Sequence, residues 1–269
     1  MFLLAVVLAY FVFRKTANAA PELTAPGIRF VVVVYLSALA AQLFSYAFDL
    51  NTSLRVPLGM NGLGYYFDPL AGPKTLYGVI VLMPFSVGIA TIGARVSLAR
   101  ALDVWTPPML VVLSVVRVGC MLQGCCYGAR SDLFGVSFPA GSPVYWQQRG
   151  AELIPEGAQW SVPVVPTQAI EAMFLALLAL WSWRHRNEPL PSGLFLPAVL
   201  AYSFFRFAIE FVRADVERGV YGPLATSQWI ALGTLAVAYG VAKLRRASRA
   251  GAWSLAARVR AAMIAPRIR

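Results

Sequence analysis

Charged residues are scarce in this sequence. Only 13% of its 269 residues are Asp, Glu, Lys or Arg, whereas 59% are hydrophobic. An ordinary globular domain has about 25% charged and roughly 45–50% apolar residues. A soluble core does not need so much apolar surface, and apolar runs recur along nearly the whole chain. The composition therefore excludes an ordinary soluble domain and predicts an all-α, polytopic membrane helix bundle.

Six apolar runs have about the length of a helix that crosses a membrane, which is roughly 17–25 residues. They are residues 27–48, 77–98, 107–122, 168–183, 193–212 and 226–244. A further stretch, residues 1–13, is too short to cross at about 1.5 Å per residue. We interpret it as a first helix truncated at its N-terminus; the alternative is a signal-like segment, for which we find no convincing cleavage site. The sequence thus predicts about seven transmembrane helices in one transmembrane domain, residues 1–244.

Acidic residues are also few. The sequence has 12 Asp and Glu residues and 23 Lys and Arg residues, which gives a net charge of +11. The basic residues gather near alternate ends of the apolar runs, as they do in cytoplasmic loops. The predicted cytoplasmic positions are Arg14, Lys15, Arg29, Arg95, Arg100, Arg184, Arg186 and the segment from Lys243 onwards. This distribution predicts an N-terminus outside and a C-terminus in the cytoplasm.

Residues 245–269 form a basic cytoplasmic tail that contains no acidic residue. Apolar residues such as Trp253 and Met263 are interleaved with its arginines, which favours a helix lying on anionic lipid headgroups. Nucleic-acid binding is the usual alternative for a basic segment, but a tail tethered to a membrane fits it poorly. We therefore predict no nucleic-acid partner.

Histidine and cysteine are almost absent. Cys120, Cys125 and Cys126 lie in one segment, and His185 is the single histidine. A structural zinc site needs four ligands, and the predicted topology places His185 at the opposite membrane face, so we predict no metal site. A disulfide, tight packing of small residues, and a redox or acceptor role remain alternatives for the cysteines. Gly-x-Gly-x-x-Gly and P-loop motifs are absent, and no cofactor is predicted.

Two longer segments, residues 49–76 and 123–167, are predicted on the outer face and are rich in Gly, Pro and aromatic residues. Neither is long enough for a soluble catalytic domain, so any chemistry must use residues at the membrane boundary. Within the second segment, residues 135–160 predict a short hairpin or a small interfacial cap rather than a helix.

Charged residues inside apolar runs are costly at membrane depth. Four of them call for an explanation: Arg117, Glu171, Arg206 and Glu210. Arg117 opens a segment whose glycines are Gly119, Gly124 and Gly128. Glycines allow backbone amides to approach a ligand closely, and amides together with a guanidinium suit a phosphate. This segment therefore predicts an anion site.

The four charges can also pair with one another. Arg206 and Glu210 are four residues apart and share one helix face. Glu171 follows Gln168 by three residues at the start of a predicted helix, and its burial would require a partner such as Arg117 or Arg206. Such pairs could simply hold helices together. Two arginines on separate segments beside a glycine-rich loop favour the ligand-binding interpretation.

Four motifs occur in a characteristic order and spacing. They are Arg117-Val-Gly-Cys-Met-Leu-Gln-Gly-Cys-Cys-Tyr-Gly128, Pro166-Thr-Gln-Ala-Ile-Glu171, Arg206-Phe-Ala-Ile-Glu210-Phe and Ser227-Gln228. Together they resemble the prolipoprotein diacylglyceryl transferases of bacterial inner membranes, over roughly residues 35–244. The combination is specific, whereas each motif alone is not.

The resemblance implies a seven-helix enzyme that transfers the diacylglyceryl group of phosphatidylglycerol to the thiol of a prolipoprotein lipobox cysteine and releases glycerol 1-phosphate. It implies phosphatidylglycerol, the prolipoprotein signal peptide and the membrane as partners, and we expect a monomer in the bacterial inner membrane. The expected catalytic residues are Arg117, Arg206, Glu210, Glu171 and Tyr77. The expected substrate-binding residues are Arg117, Gly119, Gly124, Gly128, Gln168, Arg206 and Gln228. The arginines would hold the phosphodiester and stabilise charge on the leaving phosphate.

The chain departs from the family's pattern at several positions. Cys120 and Cys125 stand where the family signature carries an Asn and an acid, and Tyr77 and Val165 stand where the family has histidines. No histidine is therefore expected on the outer face, although the acceptor thiol, with a free pKa of about 8.5, must lose its proton to attack carbon.

Three side chains remain as predicted proton acceptors: Tyr77, Glu171 and Glu210. The leaving phosphate is a fourth candidate. The alternative function is a catalytically inactive or repurposed membrane protein that binds anionic phospholipid. A transporter is less favoured, because transporters are commonly built from two related halves and the sequence shows none.

Overall fold

The computed structural model describes residues 2–48 apart from 19, 22 and 24, residues 76–214 apart from 189 and 191, and residues 219–264. This part of the chain is mostly helical, as predicted. Its helices are α1 (Phe2–Ala17), α2 (Pro26–Phe48), α3 (Leu76–Ala90), α4 (Leu98–Gln123), α5 (Pro143–Gly150), α6 (Thr167–Arg184), α7 (Phe195–Ile209) and α8 (Thr226–Ile264). Of the predicted outer segment 49–76, residues 49–75 lie outside the described residues.

Two of the described helices are long and apolar enough to cross a membrane: Pro26–Phe44 in α2 and Leu98–Gln123 in α4. α3 and α7 are apolar but shorter. The structure therefore confirms a helical protein with apolar helices, while the number of membrane crossings stays a prediction.

The boundaries of α4 differ from the sequence prediction, which started the apolar run at residue 107. The helix begins at Leu98, where the Ser97 side chain accepts a hydrogen bond from the Arg100 amide at 3.3 Å. A serine at this position satisfies an otherwise unpaired amide of the first turn. The first turns of α4 contain charged residues, so hydropathy alone placed its start too late.

α1 is a packed part of the bundle. The ring of Phe13 is fully buried and stacks on Trp105 of α4 with centroids 4.2 Å apart. Phe30 of α2 stacks on the same indole at 5.6 Å. Three helices therefore share one aromatic core.

One end of the bundle is connected by polar contacts to backbone groups. The amides of Leu194 and Phe195, at the start of α7, donate to Asp103 of α4 at 2.7 and 3.1 Å. Arg29 of α2 donates to the carbonyl of Ala90 at the end of α3. The start of α2 thus lies near the end of α3, and the start of α4 lies near the start of α7.

Residues 124–166 form a small cap at the opposite end of α4 and α6. Its separate apolar cluster contains Tyr127, Phe138, Val144 and Val164. The expectation that residues 135–160 contain no helix was wrong, because α5 lies within them. Ser142 caps α5, and proline at position 143 fits its first turn.

One short β-hairpin accompanies the helices of the described residues. A short antiparallel hairpin pairs Val220–Tyr221 with Leu224–Ala225 just before α8. α8 then continues without interruption from Thr226 to Ile264. The predicted tail is therefore helical to Ile264, as an extension of α8.

Candidate active site

The buried charges of α4 and α6 form an ion pair. Arg117 Nε lies 2.9 Å from Glu171 Oε2, and the two residues are only 5% and 2% exposed. The other carboxylate oxygen, Oε1, accepts a hydrogen bond from the Tyr202 hydroxyl of α7 at 2.7 Å. Glu171 thus joins three helices, which confirms the expected partner for this carboxylate.

The second pair lies at the end of α7. Arg206 Nη1 is 2.6 Å from Glu210 Oε2, as their four-residue spacing predicted. Arg213 Nη1 approaches the same oxygen at 3.6 Å. Arg206 and Glu210 are 4% and 1% exposed. One carboxylate oxygen therefore faces two guanidinium groups.

The two pairs belong to one electrostatic cluster. Glu171 interacts with Arg206 and Arg213 as well as with its own partner. Tyr77 of α3 interacts with Glu171, Arg206 and Glu210, and its ring packs edge-on against Tyr202. The structure therefore brings together all five residues that the sequence analysis expected to be catalytic.

Each arginine has donors that its carboxylate does not use. A guanidinium has five N–H donors. Within the described residues, Arg117 is ion-paired through Nε alone and Arg206 through Nη1 alone. The carboxylates orient the two groups, and the remaining donors suit an anion.

The amides of two signature glycines, Gly124 and Gly128, donate hydrogen bonds to backbone carbonyls. Gly124 ends α4 with a left-handed φ of 77°, and its amide donates to Cys120 and Met121 carbonyls. The Gly128 amide donates to the Val165 carbonyl at 2.9 Å. These two amides are therefore committed within the fold, and the expected amide contacts to phosphate have no support at Gly124 and Gly128.

Gly128 sits where three chain segments meet. A Cβ on this residue would lie 2.8 Å from Thr167 Cγ2 and 2.9 Å from the Val212 carbonyl oxygen. Only glycine fits this close approach. The signature glycine thus brings the loop after α4 against the start of α6 and the end of α7.

Two glutamines that were expected to bind substrate also support the fold. Gln168 Nε2 donates to the Cys125 carbonyl at 2.6 Å, while its buried Oε1 has no hydrogen-bond partner in the described structure. Gln228 accepts from the Ala225 amide and donates to the Phe207 carbonyl. Both side chains position the backbone around the charged cluster.

The three cysteines converge beside Arg117. Their Sγ atoms all lie within 4.8 Å of one another, and all three are free thiols. Hydrogen bonds from the thiols of Cys120 and Cys125, together with the charges of Arg117 and Arg213, lower the pKa of Cys126. Hydrogen bonds with the thiols of Cys120 and Cys126, together with burial, raise the pKa of Cys125. The sequence spacing alone did not predict this convergence.

Two large apolar cavities lie between the helices. The first, of about 430 Å³, is bounded by α1, α2, α3 and α4, and Gly119, Cys120 and Gln123 line it. The second, of about 580 Å³, lies between α3, α7 and α8. Neither lining includes Arg117 or Arg206. Gly119 thus borders one of these two cavities, whereas neither arginine does.

Sequence reasoning missed Tyr202 and gave no role to Arg213. Tyr202 lies four residues before Arg206, so it shares the charged face of α7. This spacing could have identified it. Arg213 lies three residues after Glu210, but only the structure shows that it approaches the carboxylate.

Comparison with known proteins gives a consistent family. The sequence profile of the family described as prolipoprotein diacylglyceryl transferase matches residues 1–243. Phosphatidylglycerol–prolipoprotein diacylglyceryl transferase 2 of Clostridium perfringens is 30% identical over 183 residues, which are 65% of each chain. A phosphatidylglycerol–prolipoprotein diacylglyceryl transferase of Dehalococcoides mccartyi is 32% identical over 65% of this chain and 64% of its own.

A phosphatidylglycerol–prolipoprotein diacylglyceryl transferase of Clostridium tetani matches a longer region, with 28% identity over 80% of this chain and 79% of its own. The chain therefore spans slightly less than two-thirds of the first two relatives and more of the third. The profile match covers most of the chain, including the four motifs and both ion pairs. The chain belongs to the prolipoprotein diacylglyceryl transferase family.

Proposed function

We propose that the protein is a membrane transferase that moves the diacylglyceryl group of phosphatidylglycerol to the thiol of a prolipoprotein lipobox cysteine. The observation that carries this proposal is the buried cluster of Arg117, Glu171, Arg206 and Glu210, in which each guanidinium has donors that its carboxylate does not use. Donors of this kind recognise a phosphodiester better than a point charge does.

The proposal includes the placement in the membrane. Seven helices would cross the inner membrane of a bacterium, with the cap of residues 124–166 outside and α8 ending in the cytoplasm. The alternation of basic residues supports this orientation. The apolar cavity that Gly119 and Cys120 border would suit an acyl chain or an apolar peptide.

The chemistry is a substitution at carbon. The acceptor sulfur donates an electron pair to the carbon of the diacylglyceryl group that carries the phosphate ester, and a C–S bond forms. The C–O bond breaks, and its electron pair leaves on the phosphate oxygen of glycerol 1-phosphate. Arg117 and Arg206 would stabilise the charge that develops on this phosphate, which is a large contribution in a site without bulk water.

Among the side chains, Glu210 is the best acceptor for the thiol proton. Both oxygens of Glu171 are engaged, by Arg117 and Tyr202. Ionisation of Tyr77 would place a further negative charge beside two carboxylates in a buried site. Glu210 Oε1, by contrast, has no hydrogen-bond partner among the described residues.

Transfer can be measured directly with purified protein, radiolabelled phosphatidylglycerol and a lipobox peptide. We expect a peptide that carries the label in a thioether and an equal amount of glycerol phosphate. A peptide with serine in place of the lipobox cysteine is the matched control and should stay unlabelled. Headgroup binding without any labelled peptide would refute the transferase.

That outcome would favour a membrane protein that binds anionic phospholipid without catalysis. One observation favours this second candidate, because each buried arginine already faces a carboxylate, as in a structural ion pair. Retention of phosphatidylglycerol by wild type, and its loss in Arg206→Lys, would support binding without turnover.

A further inference from the structure

The cysteine cluster, formed by Cys120, Cys125 and Cys126, has no role in the reaction proposed above. The chain contains three cysteines, and all of them belong to this cluster. Cys120 lies in the last turn of α4, whereas Cys125 and Cys126 follow the end of that helix. The fold thus gathers every thiol of the protein at one place beside the charged cluster.

The backbone around the thiols is held in an uncommon conformation. Cys126 has a positive φ of 59°, in the left-handed region that residues with a Cβ rarely adopt. Thr167 Oγ1 donates to the Cys126 carbonyl at 2.7 Å, and Gln168 holds the preceding carbonyl. The start of α6 therefore fixes the loop that presents two of the three sulfurs.

The sulfur spacing fits a thiophilic metal ion. Zinc–sulfur bonds are about 2.3 Å long, so sulfurs around one zinc are roughly 3.8–4.0 Å apart. The Sγ atoms here lie within 4.8 Å of one another, and rotation of the side chains can close the difference. Three protein ligands with an open fourth position are typical of catalytic rather than structural zinc.

The surroundings compensate for the charge of such a site. Three thiolates and one Zn²⁺ carry a net charge of −1, and Arg117 interacts electrostatically with Cys120 and Cys126. Cys120 also lines the apolar cavity of about 430 Å³ between α1, α2 and α4. The cluster is therefore reachable for an apolar ligand and lies next to the guanidinium that would bind phosphate.

We propose that Cys120, Cys125 and Cys126 hold a zinc ion whose fourth position takes the thiol of the acceptor cysteine. This inference rests on the proposed transferase function and supplies the thiol activation that Tyr77 and Val165 cannot provide. It differs from the sequence expectation of no metal, which counted only the ligands of a closed, structural site.

The acceptor thiol binds zinc as a thiolate and gives its proton to Glu210, and its sulfur then attacks the glyceryl carbon. The C–O bond breaks toward the phosphate, which leaves as glycerol phosphate. The product sulfur is a neutral thioether and a weaker zinc ligand than a thiolate, so the modified peptide is released.

Metal binding is tested with the reduced full-length protein in detergent. Titration with Cd²⁺ should produce an ultraviolet sulfur-to-metal charge-transfer band that saturates at one ion per chain, and Zn²⁺ should abolish it. Since the chain has no other cysteine, the band reports this cluster alone. Cys120→Ser, Cys125→Ser and Cys126→Ser should each weaken the band, while His185→Ala should leave it unchanged.

Absence of saturable Cd²⁺ binding by wild type would overturn the inference, even where a serine variant fails to fold. Loss of two thiols on mild oxidation, with no metal binding after reduction, would also overturn it in favour of a disulfide. Loss of the charge-transfer band in the His185→Ala control would also overturn the inference.

The fourth position is tested by adding a lipobox peptide to the Cd²⁺-loaded protein. We expect the charge-transfer band to grow with a cysteine peptide and to stay constant with the serine peptide. A constant band in both cases overturns the substrate role. Transfer that persists at full rate after zinc is removed with a chelator would overturn the inference while the transferase function stands. Absence of transfer by zinc-loaded protein would instead refute the transferase function.

Discussion

The two buried ion pairs have the same chemistry but different roles in the fold. Arg117 and Glu171 are 54 positions apart in the sequence and connect α4 to α6, with Tyr202 of α7 as a third partner. Arg206 and Glu210 lie within one helical turn, and Arg213 adds a second cation. The first pair holds helices together, whereas the second is local and has a spare partner. We therefore expect unequal losses of stability when each pair is broken.

The largest loss of stability is expected for Glu171→Leu. This change leaves Arg117 buried without its counterion and removes the acceptor of Tyr202, and breaking such a pair costs about 3–5 kcal/mol. Chemical unfolding in detergent micelles measures it. Glu156→Gln, in an exposed pair with Arg149, is the control and should cost only about 0–1 kcal/mol. Equal losses in both variants would contradict the structural role of the pair.

Arg206→Lys should affect catalysis more than stability. An ammonium can still pair with Glu210, which also keeps Arg213, but it cannot reproduce a planar fork around phosphate. We expect transfer to fall on the order of 10²–10³-fold, the cost of losing one donor to a developing oxyanion. Initial rates at saturating lipid, with unfolding measured in parallel, separate the two effects. Unchanged transfer would remove Arg206 from the site.

Tyr202→Phe should destabilise the first pair by a smaller amount. It deletes the hydroxyl that donates to Glu171 Oε1 and leaves a buried acceptor without a partner, at about 1–3 kcal/mol. A double-mutant cycle with Glu171→Gln measures the coupling. Additive losses would show that the hydrogen bond contributes nothing.

Gly128→Ala tests the close packing of the loop after α4 against the start of α6 and the end of α7. Its Cβ would meet Thr167 and the Val212 carbonyl closer than 3.0 Å, so we expect a loss of about 1–3 kcal/mol. Gly233→Ala in α8 is the matched control, since nothing lies within 4 Å of its Cβ, and it should be neutral or slightly stabilising. A harmless Gly128→Ala would contradict the close approach.

His185→Ala should have the smallest effect. The residue pairs with Glu188 at the far end of α6 and is only partly buried. We expect a change of about 0–1 kcal/mol and an unchanged transfer rate. A large loss of transfer would mean that the single histidine acts in the reaction.

The sequence predicted the local pair better than the long-range one. A spacing of four residues fixes the relative position of Arg206 and Glu210 on any helix, so their pairing followed from the sequence. Glu171 was expected to need a cationic partner, but the choice between Arg117 and Arg206 depends on helix packing. Tertiary geometry, which the sequence pattern does not contain, decided for Arg117.

The cap and the glycines show the same limit. Composition predicted a compact segment between α4 and α6, but it missed α5, whose eight residues have a mixed polar and apolar pattern. The glycines Gly124 and Gly128 were expected to present amides to an anion, and the structure instead uses them to close the backbone. The convergence of the three cysteines likewise depends on the left-handed conformation of Cys126, which the sequence pattern does not predict.

Complementation of a bacterial strain depleted of its own diacylglyceryl transferase tests the central claim most directly. The claim is that two buried guanidiniums, each oriented by a carboxylate, hold the phosphate of phosphatidylglycerol during transfer. We expect the wild-type chain to restore growth and lipoprotein modification. Arg206→Lys should restore neither, although it is present in the membrane at the same level. Equal rescue by both, or rescue by neither, would contradict it.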